Sequence, residues 1–176
     1  GRKAIASVSE AVVRLGMRTV GTLSLGFSVL SSSRRGPCAG FDYDQFWSNS
    51  LVAAIASRSL CGSTKAAPEE AGFACGLLSQ IGRLALASVY PEKYAEVLST
   101  WNYGSNRELE ELEQQAFGTD HAELTAAMME DWGLPQAFQV AVMRLSDERE
   151  QTPQANRREQ ALTLILRTAH QMADLC

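Results

Sequence analysis

The side chains best suited to proton transfer near neutral pH, or to holding a metal ion, are the chain's two histidines, His121 and His170. Isolated histidines without carboxylate partners seldom make a site. His121 follows Thr119 and Asp120, so its simplest reading is a hydrogen-bonded residue near a helix start. His170 reads as a partly exposed helix residue beside an apolar stripe. Four cysteines, Cys38, Cys61, Cys75 and Cys176, are far apart and form no C-x-x-C pair, which excludes a zinc knuckle and a thioredoxin-type motif. Cys61 and Cys75 fall in apolar helical contexts and are expected to pack as small hydrophobes. The chain holds no G-x-S-x-G elbow, no H-E-x-x-H and no cysteine with an obvious histidine partner. Gly16, Gly21 and Gly26 are followed by no G-K-[ST], so close helix packing explains them better than phosphate binding.

The elements that must position these residues read as helices. Ser7–Leu15 has capping-box spacing at Ser7 and Glu10, and Met17–Ser33 is apolar with few charges. Ser31–Phe41 is a loop by composition. A helix from Asp42 to Cys61 is expected to be capped by Asp42, closed by Gly62, and apolar along Phe46, Leu51, Val52, Ile55 and Leu60. Pro68 suits a first helical position and opens Glu69–Leu98, in which Leu77, Leu78, Ile81, Leu84 and Leu86 supply packing surface, Gly82 marks a bend and Pro91 starts a third segment through Tyr94, Val97, Leu98 and Trp101. Ser105 and Glu108 open the acidic run ELEELEQQ, which ends at Gly118 and reads as a solvated helix face. Thr119–Trp132 is amphipathic, with Leu124, Ala127, Met128 and Trp132 inward and Gly133 as its stop. Leu134-Pro135 restart a helix toward Leu145, and Ser146–Asn156 is a polar linker. The last helix, Arg157–Leu175, carries Leu162, Ile165, Leu166, Ala169, Met172 and Ala173 on one stripe. No run alternates apolar and polar residues, so the class is all-α, a compact multi-helix bundle.

Composition narrows the partners. With 176 residues the chain is long enough for one domain, taken as residues 1–176, with a sizeable core. A net charge of −4 argues against general attraction to nucleic acid or anionic lipid. The Arg34-Arg35 and Arg157-Arg158 pairs are too short to reverse that and read as solvated surface. No run is expected to reach the ~20 apolar residues of a membrane span, and reduced cysteines suit a cytoplasmic location. Gly1 at the start, without an initiator methionine, suggests a fragment or processed product.

Several separated stretches resemble one family. GLLSQIGRLAL is similar to the GLLHDIGRLVL segment of HDOD domains, the HD-related output domains of bacterial signalling proteins. GRKAIASVSEAVVRLGMRTVGTLSL resembles the family's short helix ending at Leu-Gly before a buried helix. FWSNSLVAAIASRSL resembles its aromatic-started helix, and FGTDHAELTAAMMEDWGLP its FG-x-DHAE block. The resemblance covers most of Gly1–Leu145 and implies an HD-superfamily-like bundle that lacks the family's N-terminal helical subdomain of roughly 70 residues. Exposed core surface is then expected near the first helix.

The resemblance also implies what has changed. Catalytic HD phosphohydrolases gather a His, a His-Asp doublet and a distant Asp on a metal that activates water. The corresponding positions here are Asn49, Ser79, Gln80 and His170. Neutral amides, a hydroxyl and one imidazole hold a divalent ion poorly, so no metal, cofactor or catalytic residue is expected. His121 matches a histidine that joins the site in the related HD-GYP phosphodiesterases, which leaves an imaginable His121–His170 remnant. The implied function is a non-catalytic regulatory module acting through a signalling protein partner. The alternatives are a nucleotide second-messenger receptor, its degenerate pocket lined by Asn49, Ser79, Gln80, His121 and His170, or a phosphohydrolase with unusual ligands.

Overall fold

The computed structural model describes residues 36–101, 105–146 and 157–175. The expected helices Ser7–Leu15 and Met17–Ser33 lie outside the described residues, as do Gly16, Gly21, Gly26, the Arg34-Arg35 pair, Cys176, the expected exposed core near the first helix, and the linker beyond Ser146. All regular structure among the described residues is helical: α1 (Tyr43–Thr64), α2 (Glu69–Leu78), α3 (Ile81–Val89), α4 (Pro91–Trp101), α5 (Asn106–Phe117), α6 (His121–Asp131), α7 (Gln136–Met143) and α8 (Arg157–Ala173).

Local chemistry sets most of these boundaries. The Asp42 carboxylate accepts the Gln45 N–H at 2.9 Å and starts α1. Ser105 and Glu108 exchange both bonds of a capping box at the start of α5. Gly118 and Gly133, at φ +74° and +71°, end α5 and α6 in the left-handed region that glycine enters without a steric cost. Pro68 stands one residue before α2 and not in its first turn. The expected closure of α1 at Gly62 is also corrected. The helix runs through Gly62 to Thr64, and Lys65 adopts the left-handed conformation, its N–H donating to Cys61 O.

Packing decides which faces turn inward. Helices α1 and α2 cross so closely that a Cβ on Gly76 would lie 2.5 Å from the Ala53 carbonyl oxygen. The buried face of α1 is therefore small, built from Ser50, Ala53, Ala54, Ser57 and Cys61 besides Phe46. Leu51 and Ile55, expected on the apolar side, are 50% and 57% exposed. The bend expected at Gly82 falls earlier, at Ser79–Gln80, between α2 and α3. Gly82 instead sits in the first turn of α3, where a Cβ would meet the His121 carbonyl oxygen at 2.2 Å. That approach turns His121, Ala122, Thr125 and Met129 of α6 inward; of the residues expected there, Leu124, Met128 and Trp132 are half-buried and pack against the core, while Ala127 is exposed.

Two apolar clusters result. One joins Phe41, Tyr43, Phe46 and Tyr94 to Ile81 and Leu84, and the other joins Cys61, Cys75 and Leu78 to Phe138, Leu162 and Leu166. Full burial of a side chain such as Phe138 or Leu84 contributes about 1.5–3 kcal/mol. Cys61 and Cys75 are core residues, as expected, and burial raises both thiols above the ordinary range. On α8 the expected stripe is buried apart from Met172. Glu69–Val89 reaches 21 residues and is long and apolar enough by composition to cross a membrane, which corrects the expectation that no run approaches that length. Here it is two helices broken at Ser79–Gln80, and more than half of it is buried inside the fold.

Gly76→Ala is expected to destabilise the chain by roughly 2–3 kcal/mol, because the obstructing atoms are backbone. Gly62→Ala meets only the flexible Glu69 side chain and removes a helix-interior glycine, so it should be neutral or stabilising by up to about 1 kcal/mol. Urea unfolding of both variants checks the contrast; equal effects would contradict the close α1–α2 crossing.

Candidate functional site

The break between α2 and α3 turns Ser79 inward, where its hydroxyl is buried. The Ser79 hydroxyl donates to Gly76 O at 2.7 Å and lies 2.8 Å from His170 Nε2, on α8. A serine has one proton to give, so Nε2 carries the hydrogen of the second bond and Nδ1 is left as an acceptor. Burial, with the nearby charges of Arg83 and His121, lowers the His170 pKa to about 4, which keeps the ring neutral at physiological pH.

Beside this bond lies a cavity of about 850 Å³ whose wall includes Asn49, Gln80, Arg83, Trp101 and His170. Asn49 Oδ1 accepts from Gln45 Nε2 at 2.7 Å, and Gln80 Oε1 accepts from Arg83 Nη1 at 3.3 Å. The Arg83 guanidinium lies over the Trp101 ring, 5.4 Å from its centre. Asn49, Gln80 and His170 thus line one cavity with Ser79 behind His170, so four of the five expected residues come together.

His121 does not join them. The Tyr94 hydroxyl donates to Glu113 Oε1 at 2.8 Å, and the His121 backbone N–H and Nδ1 reach Glu113 Oε2 at 2.8 and 2.6 Å. Glu113 is 0% exposed, which corrects the reading of the acidic run as a solvated face, although Glu108 and Glu111 are exposed. His121 Nε2 points toward Glu110 at 3.9 Å, and Glu110 accepts a bond from the Ser146 hydroxyl. Burial alone would raise the Glu113 carboxyl, but the hydrogen bonds and charge of His121, with the Tyr94 hydroxyl, hold it below the usual range. Burial raises the Glu110 carboxyl. The imagined His121–His170 remnant is replaced by two histidines bonded to different partners, and His121 has the carboxylate partners that the sequence did not disclose.

Sequence reasoning missed Arg83 and Glu113. Arg83 was legible as the only charge in the apolar run Ile81–Val89, and Glu113 as the residue one turn after Leu109 on that helix's inward side. The residues that the family resemblance sets at the metal-ligand positions do not fit a divalent ion. Ser79 and His170 are bonded to each other, Asn49 and Gln80 offer neutral amides, and the Arg83 cation stands beside them. No group of three or more His, Cys, Asp or Glu among the described residues could hold a metal.

The pH dependence follows in sign. The folded chain keeps His170 neutral while the unfolded chain takes up the proton. The stability this contributes is full above about pH 6.5 and is lost as pH falls toward about 4, by at most roughly 3 kcal/mol. The depressed Glu113 carboxyl adds a loss in the same direction below its ordinary value of 4.5. Urea unfolding between pH 7 and 4 is expected to show His170→Gln losing most of the slope above pH 4.5; an unchanged slope would contradict the assignment.

Comparison with known proteins places this geometry. The HDOD domain family model matches residues 1–147. Two crystal structures of the MmoQ response regulator from Methylococcus capsulatus str. Bath are similar to the chain, at 33% and 34% identity with TM-scores of 0.76 and 0.73. They match 99% and 98% of this chain, which spans 66% and 65% of theirs. An HDOD domain protein of unknown function from Geobacter sulfurreducens, at 19% identity and TM-score 0.66 over 98% of this chain and 56% of its own, shares the fold. No curated protein matches the chain. The match over residues 1–147, with the helices found here, identifies the chain as a member of the HDOD family.

Proposed function

We propose that this chain is a non-catalytic signal-transduction module that acts through a protein partner in the cytoplasm, without a cofactor and without binding nucleic acid or membrane. The observation that carries the reading is the Ser79–His170 bond. Two positions that would hold a metal in a catalytic relative are joined at 2.8 Å, with the Ser79 proton committed to Gly76 O. A bound hydroxide needs most of its ligands available together, and this arrangement offers neutral groups already engaged in the fold. Function then rests on surfaces instead of metal chemistry. Leu51 and Ile55, one turn apart on α1 and at least half exposed, form an apolar strip that a protein partner would cover. The likeness to the MmoQ response regulator supports a regulatory role of this kind.

The test is hydrolysis of generic phosphodiester substrates with manganese, iron, nickel or zinc supplied in turn. The expected result is no metal-stimulated turnover. A metal-dependent rate abolished by His170→Ala would overturn the proposal in favour of a hydrolase with unusual ligands. On the binding side, Leu51→Glu/Ile55→Glu is expected to lose a protein captured by the wild-type chain while keeping its thermal midpoint, as exposed substitutions should. Capture unchanged by the double variant would remove α1 from the account.

A further inference from the structure

Among the described residues, Arg83 carries an unusual charge. Its side chain is half-buried, its Nε is buried without a hydrogen-bond partner, Nη1 donates to Gln80 Oε1 at 3.3 Å, and the guanidinium interacts with the Tyr94 hydroxyl, whose own proton goes to Glu113. None of the carboxylates bridged to basic groups among the described residues is bridged to Arg83. A guanidinium offers five donors, and buried charges are ordinarily paired because desolvating them is costly. A cation on the wall of an open cavity, held by neutral groups and bridged to no carboxylate, is suited to receive an anion.

We propose that Arg83 receives the anionic group of a small organic ligand, a phosphate monoester or a carboxylate, bound in the 850 Å³ cavity without a metal. The volume lies in the range of small-molecule sites, roughly 300–1,000 Å³. The wall matches such a ligand: Phe41, Phe46 and Leu98 offer apolar surface for its body, and Trp101 already holds the guanidinium plane in place. The amide N–H groups of Asn49 and Gln80 are donors, since both side-chain oxygens are accepting elsewhere, and His170 Nδ1 is an acceptor. Asp42 and Asp174 also line the cavity and are exposed. Their charge selects a ligand with one oxyanion directed at Arg83 and an uncharged or cationic remainder. The inference rests on the reading of a metal-free pocket, and it names what that pocket binds.

Calorimetric titration of the chain in chelator-treated buffer at fixed ionic strength tests it, with adenosine 5′-monophosphate, inorganic phosphate and benzoate as probes and chloride as the control. One-site binding of at least one oxyanion probe is expected, and the phosphate and benzoate arms separate the two ligand chemistries. Arg83→Met should weaken that binding by at least about tenfold, and Arg83→Lys by less. Should Arg83→Met fail to unfold cooperatively, Asn106→Asp serves instead. It places a carboxylate on an exposed part of the cavity wall and should weaken binding several-fold. Absence of binding to all three probes, or an affinity that these substitutions leave unchanged, would overturn the proposal. Neither failure touches the non-catalytic reading, which is decided by metal-stimulated turnover.

Discussion

The 2.8 Å bond between Ser79 and His170 holds together parts of the chain 91 residues apart, and the candidate site depends on it. It fixes the junction of α2 and α3 against α8. From that junction Gln80 and Arg83 enter the cavity, Gly82 reaches the backbone of α6, and α3 turns its Ile81 and Leu84 side chains into the aromatic cluster. The bond joins two neutral groups, so it costs little desolvation compared with the charged ligands a metal would require. The cavity keeps a hydrogen-bonded wall with one cation, Arg83, on it.

The second polar centre works by the opposite principle. Glu113 is a buried carboxylate stabilised by three donors, the Tyr94 hydroxyl and two N–H groups of His121, so it binds α4, α5 and α6 through one residue. Removal of any partner leaves a buried charge under-satisfied, which makes this network costly to alter though it takes no part in the cavity. The two centres meet at Gly82: its N–H donates to Thr125 Oγ1 at 2.9 Å, and the Thr125 hydroxyl donates in turn to the His121 carbonyl. A substitution near His121 therefore acts on the cavity through α3 without touching it.

Local chemistry was legible in the sequence and tertiary geometry much less so. Asp42, the Ser105–Glu108 box, Pro91, Gly118 and Gly133 announced their boundaries because caps and turns are set within a few residues. Phe46, Leu60, Leu124, Met128 and Trp132 do face the core, but part of the inward faces of α1 and α6 was misread for one reason. Hydrophobicity pointed to Leu51, Ile55 and Ala127, while close helix crossings at Gly76 and Gly82 selected Ala53, Ala54, Ser57 and Thr125 for burial. Glu113 was hidden because its burial depends on Tyr94 and His121, 19 and 8 residues away. Asn49, Ser79, Gln80 and His170 were named through family resemblance, which proposes positions but does not say how the side chains there are bonded.

The claim that these positions now serve the fold is tested most directly by nitrogen-15 NMR of the two imidazoles during manganese titration. The account predicts that His170 stays in its neutral Nε2–H form from pH 7 to about pH 5, with Nε2 signals that low-micromolar manganese does not broaden. Selective paramagnetic loss of the His170 signals at stoichiometric manganese would show the ring turned from Ser79 to a metal and would contradict it.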